Sequence, residues 1–150
     1  MNVDDTLAYL LGRWSVHRSL SSDDGGRGTF TGVGVFAVQP CADASAWRRW
    51  ARYEETGDLC FGAYSGSATR QLHYVAGADG RRVVVLFTDG RSFVDLDLTA
   101  GSWTACHPCA ADLYEISTRV LSSDRVEERW RVRGPTKCYD AVTTMTRLAS

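Results

Sequence analysis

The residues best suited to chemistry sit close together. Cys106-His107-Pro108-Cys109 is followed by Asp112 and Tyr114, and a histidine beside a carboxylate gains a fixed tautomer and can move a proton near neutral pH. A tight loop between His107 and Asp112 permits that contact without requiring it; the same pair could instead stabilise the loop by hydrogen bonds. The C-x-x-C spacing also suits redox pairs and zinc sites. A redox thiol needs a helix N-terminus to lower its pKa, and this motif follows Trp103 in an extended context. A closed zinc site needs four ligands. With no second C-x-x-C and no H-x-x-x-H, His17, His73, Cys60 or Cys138 would have to converge by folding alone. Ordinary thiols and no metal are the expectation.

A second group surrounds Glu54 and Glu55, beside Arg52. Adjacent strand residues face opposite sides, so only one carboxylate points inward. If Glu55 does, burial is expected to raise its pKa and make it an acid or base, with Arg18 or Arg70 as compensating cation or as a clamp on a substrate carboxylate. The plainer alternative is an interior salt bridge. Tyr53 shares the Glu55 face, Tyr74 the Arg70 face, and Trp130 the Val132 face. The candidate catalytic residues are therefore His107, Asp112, Glu55 and Tyr114, and the candidate ligand-binding residues Arg18, Tyr53, Arg70, Tyr74, Trp130 and Cys138. Trp14, Trp50, Trp103 and Trp130 read first as packing, although in a hollow barrel one ring can also stack on a ligand. Lys137 is the only lysine among 17 basic residues; in its polar segment it reads as solvated, not as a Schiff-base lysine. G-x-S-x-G, G-x-G-x-x-G opening a helix, and a P-loop are all absent, which disfavours nucleotide cofactors; none is expected.

The elements that must position these groups are almost all strands. A helix over 3–11 is predicted, with Asp4 or Asp5 as cap, Leu7, Leu10 and Leu11 on one face, and Gly12 at its end. From Trp14 the period becomes two, with Trp14, Val16, Arg18 and Leu20 on one side. Further extended runs cover 29–38, 47–55, 59–64, 71–76, 82–88, 92–98, 113–121, 125–133 and 139–148. Turn signals separate them, among them Ser22-Asp23-Asp24-Gly25-Gly26, Thr56-Gly57-Asp58 and Asp89-Gly90. About ten short strands with no βαβ spacing predict an all-β, closed, up-and-down antiparallel barrel of eight to ten strands over 13–148. Such a barrel is about wide enough for one small ligand.

At 150 residues and 44% hydrophobic content, the chain fits one domain, 1–150. A net charge of −1 removes the electrostatic warrant for nucleic-acid binding, and no apolar run reaches the roughly 20 residues of a membrane span. Five cysteines, an odd and sparse set, suggest reduced thiols in a cytoplasm. The arginine bias suggests a GC-rich bacterial source.

Several blocks together resemble a known family: Gly12-Arg13-Trp14 through Arg18, Gly28-Thr29-Phe30-Thr31-Gly32, Tyr53-Glu54-Glu55-Thr56-Gly57, Phe87-Thr88-Asp89-Gly90-Arg91, His107-Pro108-Cys109 with Asp112 and Tyr114, and Trp130 through Lys137. In this order, over nearly the whole chain, they look like the signature blocks of the domain-of-unknown-function family 6314. The resemblance implies a small lipocalin-like or calycin-like barrel and no assigned activity. The chain departs from the family pattern at Val94, where a histidine is expected, and at Cys138, where an acid is expected. Those departures point to a more apolar pocket in a specialised bacterial paralogue.

The function expected is that of a barrel enclosing a small, mostly apolar organic molecule. It would promote a cofactor-independent cyclase, isomerase or lyase step by shaping the substrate and supplying an acid or base. The alternative is a non-catalytic carrier or sensor of a small ligand, lipid or haem, with His107, His17 or His73 as ligand or donor. A fully packed structural barrel is a third class. Partners are expected to be that small molecule, with neither nucleic acid nor membrane; an exposed aromatic strand leaves a homodimer open.

Overall fold

The computed structural model of the chain describes residues 1–40, 49–77 and 79–149. Alternating burial along each extended run makes one face of nearly every strand an interior face. In β1 (Gly12–Ser22) that face carries Trp14, Val16 and Arg18, and in β2 (Arg27–Gln39) it carries Phe30, Gly34 and Phe36. In β3 (Arg49–Phe61) it carries Ala51, Tyr53 and Glu55, and in β4 (Tyr64–Ala76) Leu72, Tyr74 and Ala76. The sheet continues through β5 (Arg82–Leu86), β6 (Ser92–Asp97), β7 (Ser102–Cys109), β8 (Asp112–Ser122), β9 (Arg125–Arg133) and β10 (Cys138–Arg147). All pairings are antiparallel and follow chain order, except that β1 also pairs with β10, which wraps the meander round.

The barrel is nearly closed. The strands at the two ends of the sheet, β6 and β7, meet without a hydrogen-bonded register. Trp103 Nε1 donates across this seam to the Asp95 carbonyl at 3.1 Å, and the Phe93 and His107 rings pack across it at 5.2 Å. The cause lies in strand length. β5 and β6 are five and six residues long, whereas β2, β3 and β4 are each thirteen. β5 pairs with β4 only over His73–Ala76, so the first half of β4 has one strand neighbour.

One end is plugged. The predicted helix 3–11 contracts to α1 (Thr6–Leu10), capped by Asp5, which accepts from the Ala8 amide at 2.9 Å. Leu11 then leaves helical geometry and Gly12 takes φ +114°. Leu7 is fully buried, Trp14 Nε1 donates to the Leu10 carbonyl at 2.8 Å, and the Leu98 amide donates to Thr6 Oγ1 at 3.0 Å.

The expected turn at Thr56-Gly57-Asp58 is overturned, and the runs placed at 47–55 and 59–64 join in β3. Gly57 lies opposite Gly32 in the β2–β3 register, where a Cβ on either residue would run into the carbonyl of Thr31 or Thr56. The glycine serves close strand contact, not reversal; the chain turns at Gly62 and Ala63, with Gly62 at φ +58°. Trp47, where the first of those runs was placed, lies outside the described residues, as does Cys41. No helix among the described residues is long and apolar enough to cross a membrane.

Candidate functional site

Glu55 is the inward member of its pair, 2% exposed, and it stands at the centre of the barrel's polar cluster. Arg18 Nη1 and Nη2 donate to its two carboxylate oxygens at 2.7 and 3.0 Å, and Arg18 Nε donates to Thr143 Oγ1 at 2.8 Å. The Tyr53 hydroxyl reaches Glu55 Oε1 at 2.8 Å and Arg70 Nη2 reaches the same oxygen at 3.2 Å. The expected rise in the Glu55 pKa is reversed. Burial pushes it up, but the Arg18 hydrogen bonds and the Arg70 charge outweigh burial and hold the carboxyl below its ordinary value. Glu55 is thus a fixed anion, and Arg18 its compensating cation.

Arg70 is less committed. Its guanidinium stacks on the Trp130 ring at 5.0 Å, its Nε is buried without a partner, and 31% of its side chain stays accessible. Trp130 Nε1 donates to Glu128 Oε1 at 2.6 Å. Tyr74 is buried beside this group, and burial together with the nearby Glu128 carboxylate raises its pKa far above the ordinary tyrosine value. Two cavities of about 20 and 30 Å³ adjoin the cluster, and both are lined by Arg70, Tyr74, Thr118 and Glu128. Each holds roughly one water. The middle of the barrel is therefore largely filled by side chains, and the ligand-sized space anticipated there lies at the open end instead.

That space is a cleft of about 530 Å³ between the β1–β2 and β9–β10 hairpins, lined by Leu20, Phe61, Lys137, Cys138 and Tyr139 among others. Its volume falls within the usual range of small-molecule sites. Tyr139 lines the cleft half-buried: burial and the neighbouring Tyr114 raise its pKa, while Lys137, Arg70 and Arg18 pull against them. Cys138 lines the cleft half-buried, with Sγ 3.5 Å from the Gly134 carbonyl. Lys137 is exposed, as expected, and donates to the Tyr114 hydroxyl at 3.0 Å.

His107 and Tyr114 face each other in the β7–β8 register, their rings 6.2 Å apart. Phe87 and Phe93 complete the cage around the imidazole at 6.1 and 5.2 Å. Asp112 is not part of it. The hairpin pairs Asp112 with Cys109, and its carboxylate accepts from Thr136 Oγ1 at 2.8 Å. The expected His107–Asp112 pair is replaced by a tie between the β7–β8 and β9–β10 hairpins. Cys106 and Cys109 are free and exposed; three residues apart on one strand, they leave opposite faces. Among the described residues, no group of histidine, cysteine and acidic side chains converges on a metal site. His17 is exposed on the outer surface and His73 packs on Trp50 at 5.1 Å.

Glu128 and Tyr139 escaped the reading from sequence. Both lie on inward phases that their strands display, Glu128 with Val126, Trp130 and Val132, and Tyr139 with Ala141, Thr143 and Met145.

These features define an up-and-down, calycin-like β-barrel, plugged at one end, with a buried ionic cluster beneath an open cleft. The chain belongs to the family of unknown function DUF6314, whose model matches residues 10–147. No curated protein matches it in sequence. Among solved structures, the S-type phycobiliprotein lyase CPES from Guillardia theta superposes with a TM-score of 0.77 at 11% identity, covering 100% of this chain and 94% of that one. A protein of unknown function from the DUF3598 family of Nostoc punctiforme aligns with a TM-score of 0.58 at 16% identity, over 95% of this chain and 48% of that one. At these identities the likeness is one of fold.

Proposed function

We propose that this protein binds one small, mostly apolar organic molecule at the open end of its barrel and promotes a cofactor-independent cyclising, isomerising or eliminating step on it. The observation that carries the reading is the cleft between the β1–β2 and β9–β10 hairpins, open to solvent and of small-molecule size. The cleft supplies the volume, and Leu20, Phe61 and Tyr139 supply apolar surface. His107, caged by Phe87, Phe93 and Tyr114, is the group assigned to move a proton; Glu55, held as an anion between two arginines, fixes Arg18 and Arg70 in place. The phycobiliprotein lyase, a barrel of the same fold, makes ligand chemistry in such a scaffold reasonable.

The test begins with native mass spectrometry of the protein purified from its own host, which should show a retained organic molecule. Incubated with the purified protein, that molecule or its precursor should be converted. A His107→Phe variant, which keeps the ring and loses both nitrogens, should retain the ligand and lose the conversion. Retention without conversion in the wild type would establish the carrier reading, which the arrested Glu55 favours. If no small molecule is retained or bound, the proposal fails.

A further inference from the structure

β4 has a long free edge. Its stretch His73–Ala76 pairs with β5, whereas Tyr64–Leu72 have β3 as their one strand neighbour. Among the described residues, no backbone group outside β3 hydrogen-bonds to that stretch. An open row of amides and carbonyls is a template for another strand, and proteins blunt it with lysine, proline, a bulge or an inward charge. The β4 edge is not blunted in these ways. Its register with β3 runs unbroken from the Arg49–Ala76 pair to the Phe61–Tyr64 pair. Its outward residues, Ser65, Ser67, Thr69 and Gln71, are exposed and uncharged. Arg70, its one charge, points inward, where Glu55 neutralises it. Across the gap, β7 ends in Pro108 and Cys109, and a proline has no amide to donate. Phe61 and Tyr64, 37% and 55% exposed, stand at the tip where the edge ends.

The edge is built to pair with its own copy. The turn at Gly62 and Ala63 bounds it on one side and the β5 partner of His73 on the other, so an antiparallel second copy overlaps it in full in one register, centred on Ala68. That register sets Ser67 opposite Thr69 of the partner subunit and Ser65 opposite Gln71 of the partner subunit, polar cross-strand pairs of the kind that stabilise a sheet. Arg70 falls opposite Gly66 of the partner subunit, which has no side chain to obstruct it. The two copies of Arg70 stay roughly 13 Å apart along the strands. Phe61 and Tyr64 then abut the partner's Leu86 and the partner's Phe87, half-buried residues at the point where β5 stops.

We propose that this protein is a two-fold dimer joined β4 edge to β4 edge, each copy supplying the strand that β5 is too short to provide. The contact uses the same surface on both copies, so it closes at two and leaves no β4 edge free.

Size exclusion with light scattering over a dilution series of the full chain should give twice the chain mass, with dissociation on dilution. Ser67→Lys combined with Thr69→Lys places like charges directly opposite each other at both pairs beside the dyad, and should weaken the dimer at least about tenfold. Ser67→Glu combined with Thr69→Glu should do the same. Mixing the two double variants sets opposite charges at the same pairs, so a mixed dimer should form at concentrations where neither variant dimerises alone. The substituted positions are outward and exposed, and circular dichroism with thermal unfolding establishes that each variant keeps the barrel. Hydrogen exchange gives a reading without substitution: amides within Tyr64–Leu72 should exchange more slowly in concentrated than in dilute wild-type protein. A wild type that stays monomeric at every concentration overturns the proposal, even if its β4 edge captures an extended peptide instead. A dimer that survives both double variants, variants that do not recover on mixing, or exchange at Tyr64–Leu72 that ignores concentration, overturns it as well.

Discussion

Replacing Glu55 with glutamine keeps the volume at position 55 and removes the charge that two arginines share. Glu55 is 2% exposed and Arg18 has 12% of its side chain accessible, so the Arg18 cation cannot recover its hydration by moving a short distance. Breaking a buried pair by neutralising one partner costs about 3–5 kcal/mol, a large part of the roughly 5–15 kcal/mol that holds a domain folded. At this chain length about 2–4 °C accompanies each kcal/mol, so the midpoint should fall by about 6–20 °C. Urea unfolding followed by tryptophan fluorescence and by circular dichroism measures the loss directly, with the slope unchanged if only the native state is affected. The pH dependence supplies an independent check. Because the folded Glu55 pKa lies below its ordinary value of 4.5, its contribution is complete above that value and is lost as pH falls through the lower folded one. Wild-type stability should therefore drop more steeply in acid than that of Glu55→Gln. A loss under about 1 kcal/mol at neutral pH, or parallel acid profiles, would refute the account of Glu55 as a paired interior anion.

Three further outcomes follow from packing and exposure. Gly57→Ala should lower the urea midpoint by the equivalent of about 1–3 kcal/mol, because the new methyl meets the Thr31 carbonyl across the β2–β3 pair; an unchanged midpoint would mean the strands can part there. Leu7→Ala should cost about 2–5 kcal/mol and increase binding of an apolar dye, since Leu7 is fully buried in the plug. In thiol titration of the native protein, Cys60, Cys106 and Cys109 should react ahead of the half-buried Cys138, and mild oxidation should not join Cys106 to Cys109 within one chain, because they leave opposite faces of β7.

The parts of the fold that could be read from sequence are those governed by strand alternation. Trp14, Val16 and Arg18, Tyr53 and Glu55, and Arg70, Leu72 and Tyr74 share faces because successive side chains alternate, and burying one set fixes the phase. Thr56-Gly57-Asp58 misled because its turn chemistry is local, whereas the backbone there is set by pairing with β2 on one side and β4 on the other. His107 and Asp112 misled for a related reason: in a hairpin the partner is set by register, and register gave His107 to Tyr114. The direction of the Glu55 pKa required geometry. Strand alternation puts Glu55, Arg18 and Arg70 on inward faces, but whether burial or pairing wins depends on both arginines reaching the same carboxylate.

The shortness of β5 and β6 ties the barrel's architecture to its site. Had these strands matched the thirteen residues of β4, backbone hydrogen bonds could have sealed the wall between β4 and β7. Instead β5 stops at Leu86, and Phe87, Phe93, His107 and Trp103 do the sealing with rings. Rings pack without the directional constraint of a strand ladder, so this part of the wall can open at lower cost than a hydrogen-bonded one. Phe93 packs in turn on Trp130 at 5.3 Å, and Trp130 carries Arg70. The aromatic wall and the polar cluster are two ends of a single packed chain that runs from His107 and Phe93 through Trp130 to Arg70.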